Sequence, residues 1–339
     1  MAIKIKDIAR MANVSEATVS LALNGKEGVK EETKRKVIEI AREVGYTPSA
    51  YAQGLAKRIS ETIGLIVPDI ENPYFGRLVR CIDKNVREYG YKLVIAISDE
   101  NIEREKAIVK DFISKRVEGI IIAPLSGANQ PKDYLDELNK NSIPCVFVTS
   151  YYPELDASCV MVDLEEGTYK LVQYLLDLGH RDIFFLAGAP QVIATEQRVR
   201  GYIKAFEEKG IDVDKSKLIE CRKFDFDEAY NTTFSLVGTR KKNIDAIITM
   251  NDIMALGVLR ALDEQNIKVP EDISLCGYDN VIFSSISLIP ITTVNQDIDR
   301  MALAVTNILF DEMKNKERNK LRILIKPELV IRKSTISKR

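Results

Sequence analysis

The sequence predicts a two-part fold: an all-α helix-turn-helix head, then an α/β body built as two Rossmann-like lobes with parallel sheets. Three observations predict it. Over residues 1–48, apolar side chains recur at helical spacing around a tight turn. From residue 61 the pattern changes to short apolar runs alternating with amphipathic helical stretches, the signature of β-α-β units. Finally, 339 residues with 45% hydrophobic side chains are long for one domain and sufficient for a small head and two larger cores.

In the head, Ile8, Met11 and Ala12 form the expected inward stripe of a first helix, and Asn13-Val14 turns the chain. Ser15 is placed to N-cap a second helix whose Val19, Ala22 and Leu23 point inward, with Asn24-Gly25 ending it. Glu16, Ala17, Ser20 and Leu21 then lie on the opposite face. A third helix is expected from Glu31 to Val44, with Val37, Ile40, Ala41 and Val44 as its core stripe and Gly45 just past its end. Residues 49–58 follow Tyr46-Thr47-Pro48 as a two-turn helical segment containing Gly54. Isolated helices shorter than about 12 residues are marginal in water, so this segment should fold only against a partner. Residues 1–60 carry 11 Lys+Arg against 7 Asp+Glu, a net of +4, whereas the whole chain is at −1. The head is the basic end, though a solvated helical surface could carry the same excess.

In the body, strands are expected at Thr62–Pro68, Lys92–Ser98, Gly119–Pro124, Pro144–Thr149, Cys159–Asp163, Asp182–Gly188, Asp245–Met250 and Asp272–Gly277. Several are rich in Ile and Val, as strands covered on both faces should be. Helices are expected at about 74–89, 103–116, 131–141, 166–178, 196–209, 227–239 and 252–265. Eight strands exceed one ordinary doubly wound sheet, and the division falls near Val162-Asp163. Ligands of open α/β sheets bind beyond the carboxyl ends of the strands. Polar residues gather there: Asp69, Ser98-Asp99, Thr149-Ser150, Asp163, Asn251-Asp252 and Asp279.

Several chemistries are disfavoured. No G-x-G-x-x-G or P-loop opens any helix, so no nucleotide cofactor is expected. Cys81, Cys145, Cys159, Cys221 and Cys276 are odd in number and lack a C-x-x-C pair, against a zinc site or disulfide framework. The sole histidine, His180, falls at a helix end before a strand, where capping is its expected role. Asp, Asn and Arg at strand ends without a paired His or Cys assemble no catalytic machine, so no catalytic residue, metal or cofactor is expected. No signal peptide opens the chain and no apolar run reaches about 18 residues, so a cytoplasmic protein without membrane contact is expected. A sugar-binding transport protein would share the body, but it would need an export signal and has no use for residues 1–58.

The head resembles the LacI/GalR family of bacterial transcription regulators in Ile5-Lys6-Asp7-Ile8-Ala9, in Val14-Ser15-Glu16-Ala17-Thr18-Val19-Ser20 and in Gly45-Tyr46-Thr47-Pro48-Ser49-Ala50. The body resembles the same family in Asp69-Ile70-Glu71-Asn72-Pro73-Tyr74-Phe75, Gly179-His180-Arg181-Asp182-Ile183, Arg198-Val199-Arg200-Gly201-Tyr202, Asn251-Asp252-Ile253-Met254-Ala255-Leu256-Gly257, Gly277-Tyr278-Asp279-Asn280 and Thr292-Thr293-Val294-Asn295-Gln296. The resemblance implies a DNA-binding head over 1–48, a hinge helix and linker over 49–60, and a periplasmic-binding-protein-like body over 61–339. The first lobe is expected at about 61–162 and 292–320, the second at about 163–291 and 321–339.

Carried over residue by residue, the resemblance implies operator contacts from Lys6, Ser15, Glu16, Ala17, Thr18, Ser20, Leu21, Asn24 and Tyr46 in the head and from Ala52, Leu55 and Ala56 in the hinge. Glu16 can accept from cytosine N4, and Ala17 and Leu21 can meet a thymine methyl. Many family members carry Arg where Leu21 stands. Lys4, Lys6, Arg10, Lys26, Lys34 and Arg35 are candidates for phosphate contact, and Leu55 is the expected minor-groove wedge. The implied effector contacts are Tyr74, Phe75, Asp163, Arg198, Phe224, Asn251 and Asp279, a set suited to a polyol: carboxylates, an amide and a guanidinium for hydroxyls, aromatic faces for C–H surfaces. The expected partners are a pseudo-palindromic operator, a sugar-like effector and a second copy of the chain. The expected function is a repressor of carbohydrate-use genes. The alternative is a global carbon-catabolite regulator answering to a phosphorylated carrier protein, a branch that Ala52-Gln53-Gly54-Leu55-Ala56 loosely resembles. Two departures from the family bear on the ligand: Leu164 follows Asp163 where Asn is frequent, and Thr149-Ser150 stand where an Asp-Arg pair is common.

Overall fold

The structure, a computed structural model, describes residues 3–23, 28–46, 60–124, 132–153, 155–240, 244–315 and 320–338. The chain divides into two compact units, Met1–Ser60 and Glu61–Arg339. Asn24, Gly25, Lys26 and the hinge segment with Ala52, Leu55 and Ala56 lie outside the described residues.

The first unit holds α1 (Ile5–Ala12), α2 (Glu16–Leu23) and α3 (Glu31–Glu43). Asn13 turns the chain in the left-handed region (φ 56°), and Ser15 Oγ accepts from Thr18 N at 3.1 Å to cap α2. The core consists of Ile8, Ala9, Ala12, Val19, Ala22, Val37 and Ala41. Four of these are alanines, so the three helices approach closely. That closeness corrects one expectation: the stripe of α1 runs through Ile8, Ala9 and Ala12, and Met11 stays outside, 53% exposed.

The second unit holds two parallel sheets and one antiparallel pair. In the first sheet the order is β11 (Arg322–Ile325), β5 (Ser158–Val162), β4 (Cys145–Val148), β3 (Gly119–Ile122), β1 (Thr62–Val67), β2 (Lys92–Ile97). In the second it is β7 (Leu218–Glu220), β6 (Ile183–Ala187), β8 (Ala246–Thr249), β9 (Ser274–Cys276). The inner strands β3, β4, β6 and β8 are buried along their whole length, which explains their unbroken Ile/Val/Phe runs. The helices are α4 (Pro73–Glu88), α5 (Ile102–Ser114), α6 (Lys132–Lys140), α7 (Leu164–Asp177), α8 (Ile193–Glu208), α9 (Phe226–Arg240), α10 (Asp252–Glu264), α11 (Ile282–Ile286) and α12 (Ile298–Lys314).

The return of the chain departs most from expectation. β10 (Thr293–Asn295) and β12 (Glu328–Val330) pair antiparallel. Between them α12 packs on α4 and the first sheet, and β11 adds to that sheet beside β5, with Arg322 opposite Cys159. The second-lobe share of the tail therefore does not begin at residue 321: Arg322–Ile325 belong to the first sheet. Neither α11 nor α12 is in the helix expectation, although Ile298, Met301, Ala302, Val305, Ile308 and Leu309 mark a regular buried stripe on α12. The alternation that organised the earlier strands stops at Gly277, and the remaining elements answer to crossovers between sheets. β7, β10, β11 and β12 have three or four residues each and lack the fully buried apolar run that marks β3, β4 and β8.

His180 lies where a helix meets a strand, as expected. Its backbone N donates to Leu175 O at 3.1 Å, closing α7. Its buried ring contacts Ile336 O at 2.9 Å and Ser274 Oγ at 3.2 Å, pinning the C-terminal tail. Burial pushes its pKa down.

Candidate functional site

A cavity of about 490 Å³ opens at the carboxyl ends of both sheets, where the strand-end polar residues were expected to gather. Its first-lobe wall carries Asp69, Asn72, Phe75, Asp99, Glu100 and Ser150; the second-lobe wall carries Arg198, Lys223, Phe224, Asp225, Asn251 and Asp279. Tyr74 and Gln296 also line it.

On the first lobe, Asn72 caps α4 by accepting from Tyr74 N at 3.0 Å, with Pro73 at the first helical position. That start delivers Tyr74 and Phe75 to the cleft in the first turn, edge to face with ring centroids 5.1 Å apart. Tyr74 is buried and donates from its hydroxyl to Gln296 Oε1 at 3.3 Å. Burial, then the Asp279 carboxyl, push its phenol up, so it stays protonated.

On the second lobe, Arg198 projects from α8 and is only 6% exposed. Its guanidinium lies 4.1 Å from the centroid of the Tyr278 ring, a cation–π arrangement. Its Nη2 is 3.9 Å from Asp279 Oδ1, and its buried Nε has no hydrogen-bond partner. Asp279 Oδ1 also accepts from Gln296 Nε2 at 2.5 Å. Burial pushes the Asp279 carboxyl up to about 8; Arg198 opposes the shift, and the Asp252 carboxyl adds to it. Asn251 faces the cavity but has both ends engaged: Oδ1 accepts from Met254 N to cap α10, and Nδ2 donates to Phe224 O, each at 2.8 Å. It thus holds the loop that carries Phe224. Gly188 makes room for that ring, since a Cβ there would lie 2.4 Å from Phe224 Cε1.

Four lining residues sit at positive φ without being glycine: Asp99 (50°), Glu100 (52°), Thr149 (69°) and Asp279 (101°). For β-branched Thr149 this is a costly conformation, of the kind that clusters at ligand sites.

Six of the seven expected effector contacts thus meet at one cavity. Asp163 does not line it; its carboxylate accepts from Glu166 N at 2.9 Å and caps α7, the usual employment of a strand-end Asp. In the sequence, Gln296 and Tyr278 stand out only as parts of motifs, and Gly188 not at all. Yet Gln296 joins the walls, Tyr278 supports Arg198 and Gly188 seats Phe224. A glycine directly after an apolar strand was the available signal for the last. Among the described residues no group of three or more His, Cys, Asp or Glu is placed to hold a metal ion, and no helix is long and apolar enough to cross a membrane.

In the head, Glu16 and Ala17 are exposed on the first turn of α2, with Thr18, Ser20 and Leu21 half-buried along it. Ser15 is exposed and spends its hydroxyl on the cap. Lys4, Lys6, Arg10 and Arg35 are exposed; Arg10 pairs with Asp7 at 2.8 Å, and half-buried Lys34 reaches Glu31 at 3.4 Å. Tyr46 is half-buried against the head core.

Residues 4–49 match the family described as bacterial regulatory proteins, lacI family, and residues 172–335 match a periplasmic binding protein-like domain. The HTH-type transcriptional repressor PurR of Pasteurella multocida (strain Pm70) is 34% identical over 336 residues, 98% of this chain and 99% of its own. Catabolite control protein A of Priestia megaterium is 33% identical over 318 residues, 94% of each chain. Among solved structures, the lac repressor dimer bound to operator and the anti-inducer ONPF superposes with a TM-score of 0.82 at 26% identity, covering 99% of this chain and 100% of that one. These relatives are transcription regulators and not enzymes. A helix-turn-helix head, a two-lobed body with a polar cleft and full-length similarity to such regulators lead to one conclusion: the chain belongs to the lacI family of bacterial regulatory proteins and is a DNA-binding transcription regulator with an effector-binding domain.

Proposed function

We propose that this regulator is a cytoplasmic repressor that binds a pseudo-palindromic operator as a homodimer and is controlled by a small polyhydroxylated effector in the cleft. The carrying observation is the cavity itself. Buried Arg198 and Asp279, the helix-capping Asn251 and the aromatic faces of Phe75 and Phe224 converge on about 490 Å³, within the range of small-molecule sites. Polar groups on both walls support a small-molecule signal over the alternative of a phosphorylated carrier protein. A cytoplasmic location is supported by membership in a family of DNA-binding regulators.

The dimer is supported by an apolar surface on the second lobe. Ile282 (61% exposed), Ile286 (65%) and Leu288 (96%) stand beside a groove lined by Phe226, Leu256, Leu259 and Ile289. A patch of this kind on a monomer marks an interface. Replacing Ile286 and Leu288 by Glu should give a monomer in sedimentation, with much weaker operator binding because two heads no longer share one site.

The test of the DNA-binding role is a gel shift with the DNA upstream of the chain's own operon, repeated across salt. Exposed Lys4, Lys6 and Arg35 support phosphate contacts, so affinity should fall steeply as salt rises. Affinity indifferent to salt would argue against operator binding. Glu16→Ala should lose roughly 1–3 kcal/mol of discrimination at one symmetric base pair, read by selection from a randomised operator library. For the hinge, Leu55→Ala should remove operator bending, measured by fluorescence transfer across a labelled duplex.

A further inference from the structure

The two walls of the cleft differ in charge. The second-lobe wall carries both of the cavity's cations, Arg198 and Lys223, beside Asp225 and the buried Asp279. The first-lobe wall carries Asp69, Asp99 and Glu100 and no Lys or Arg among the residues that line the cavity. Asp99 is neutralised from outside by an ion pair with Arg104. Neither Asp69 nor Glu100 has an ion-pair partner among the described residues, both line the same cavity, and burial, then the Asp69 charge, pushes the Glu100 carboxyl up. A ligand is therefore met on one side by acceptors with unbalanced negative charge. On the other side it meets Arg198, 94% buried by its 6% exposure, whose Nε lacks a partner.

We infer that the effector is an unphosphorylated polyol that presents hydroxyl or amino donors to Asp69 and Glu100, and an acceptor oxygen to Arg198. This inference rests on the effector reading of the cleft and narrows it by charge class. A hydroxyl donates to a carboxylate and accepts from a guanidinium, so a free sugar satisfies both walls. An ammonium facing the first lobe adds an attraction that falls with salt. A phosphate brings up to two negative charges toward carboxylates in a site partly shielded from water, where like charges repel far more than in bulk solvent. Arg198 and Lys223 could attract such an anion only from the opposite wall, so it would still face the Asp69 and Glu100 carboxylates across the cleft.

The test is a thermal-shift and calorimetric comparison on the full chain with three matched sets: free hexoses and their disaccharides, the corresponding 2-amino sugars, and hexose 6-phosphates with inorganic phosphate. Stabilisation should come from the first two sets only. The phosphorylated form of any hit should bind at least about tenfold more weakly than the free form, a difference of about 1.4 kcal/mol. Hits should vanish in Arg198→Met, which places them in the cleft. In the paired variant Asp69→Asn with Glu100→Gln the penalty against the phosphorylated form should shrink, and any preference for the amino form should disappear. A phosphorylated sugar or inorganic phosphate that stabilises the parent and is lost in Arg198→Met overturns the inference while leaving the cleft an effector site. A penalty unchanged in the paired variant overturns it too, because something other than these carboxylates would set it. Silence from all three sets overturns the sugar-effector reading on which the inference stands.

Discussion

The two walls of the cleft are built differently. On the second lobe the buried polar groups are each held by a neighbour: Arg198 over Tyr278, Asp279 under Gln296, Asn251 between Met254 N and Phe224 O. On the first lobe the acids are exposed or half-buried, and two of the three, Asp99 and Glu100, stand on loop residues with positive φ. One wall is preorganised and fixes orientation; the other is solvated and selects by charge. Rigid binding groups lose little freedom when a ligand arrives, whereas exposed carboxylates must first shed water. The consequence is an asymmetry in mutational cost: substitutions on the second lobe should disturb the fold and the ligand together, and substitutions on the first should disturb the ligand alone.

The largest effect should come from Arg198→Ala. It removes the guanidinium packed over Tyr278 and leaves a void in a buried site, so stability should fall by about 2–4 kcal/mol in denaturant unfolding, and effector binding should disappear. A variant as stable as the parent would show that the second wall is not preorganised by this residue.

Gly188→Ala should cost about 1–3 kcal/mol, since the added methyl meets the Phe224 ring and Thr195 Oγ1, 2.6 Å away, and one of them must move. The matched change on the first lobe is Gly76→Ala in α4, where the nearest atom to a new Cβ is Ile70 O at 3.9 Å. There the gain in helix propensity should leave stability equal or up to about 1 kcal/mol higher. Equal costs at the two glycines would erase the distinction between the walls.

Asp279 also gives the second wall a pH dependence. Its carboxyl titrates near 8 in the folded chain against an ordinary value of 3.8, so between those limits the folded state holds a proton that the unfolded state has lost. This contribution is greatest at the acid end of that window and declines as pH rises to about 8. Asp252, pushed up to about 6 by burial, acts in the same direction over the lower half. Asp279→Asn should flatten the profile and raise the midpoint of thermal unfolding at pH 8 by roughly 5 °C, at about 2–4 °C per kcal/mol for a domain of this size. A parent whose midpoint stays level from pH 5 to 8 would contradict this assignment.

The smallest effect belongs to Asp69→Asn. At a half-buried rim position without an ion-pair partner, stability should change by less than about 0.5 kcal/mol, with the change confined to ligand selection in calorimetry.

What the sequence by itself determined follows from local physics. Helical spacing and Ser15 set the turn of the head, Ile/Val runs marked the covered strands, and polar residues at strand ends marked the cleft, because each of these signals lies within a few consecutive residues. Tertiary structure alone decided the rest. It decided that Ala9 and not Met11 enters the head core, because three helices packed on alanines leave no space for the larger side chain. It placed Arg322–Ile325 in the first sheet, since a four-residue strand has no address until β5 offers it an edge. Asp163 and Asp279 look alike as strand-end acids, yet one caps α7 while the other is buried beneath Arg198 and Gln296. Their difference comes from their partners: Asp163 takes Glu166, 3 residues on in the chain, whereas Asp279 takes Gln296 and Arg198, 17 and 81 residues away. Burial and charge at a site are sums over neighbours that only folding brings together.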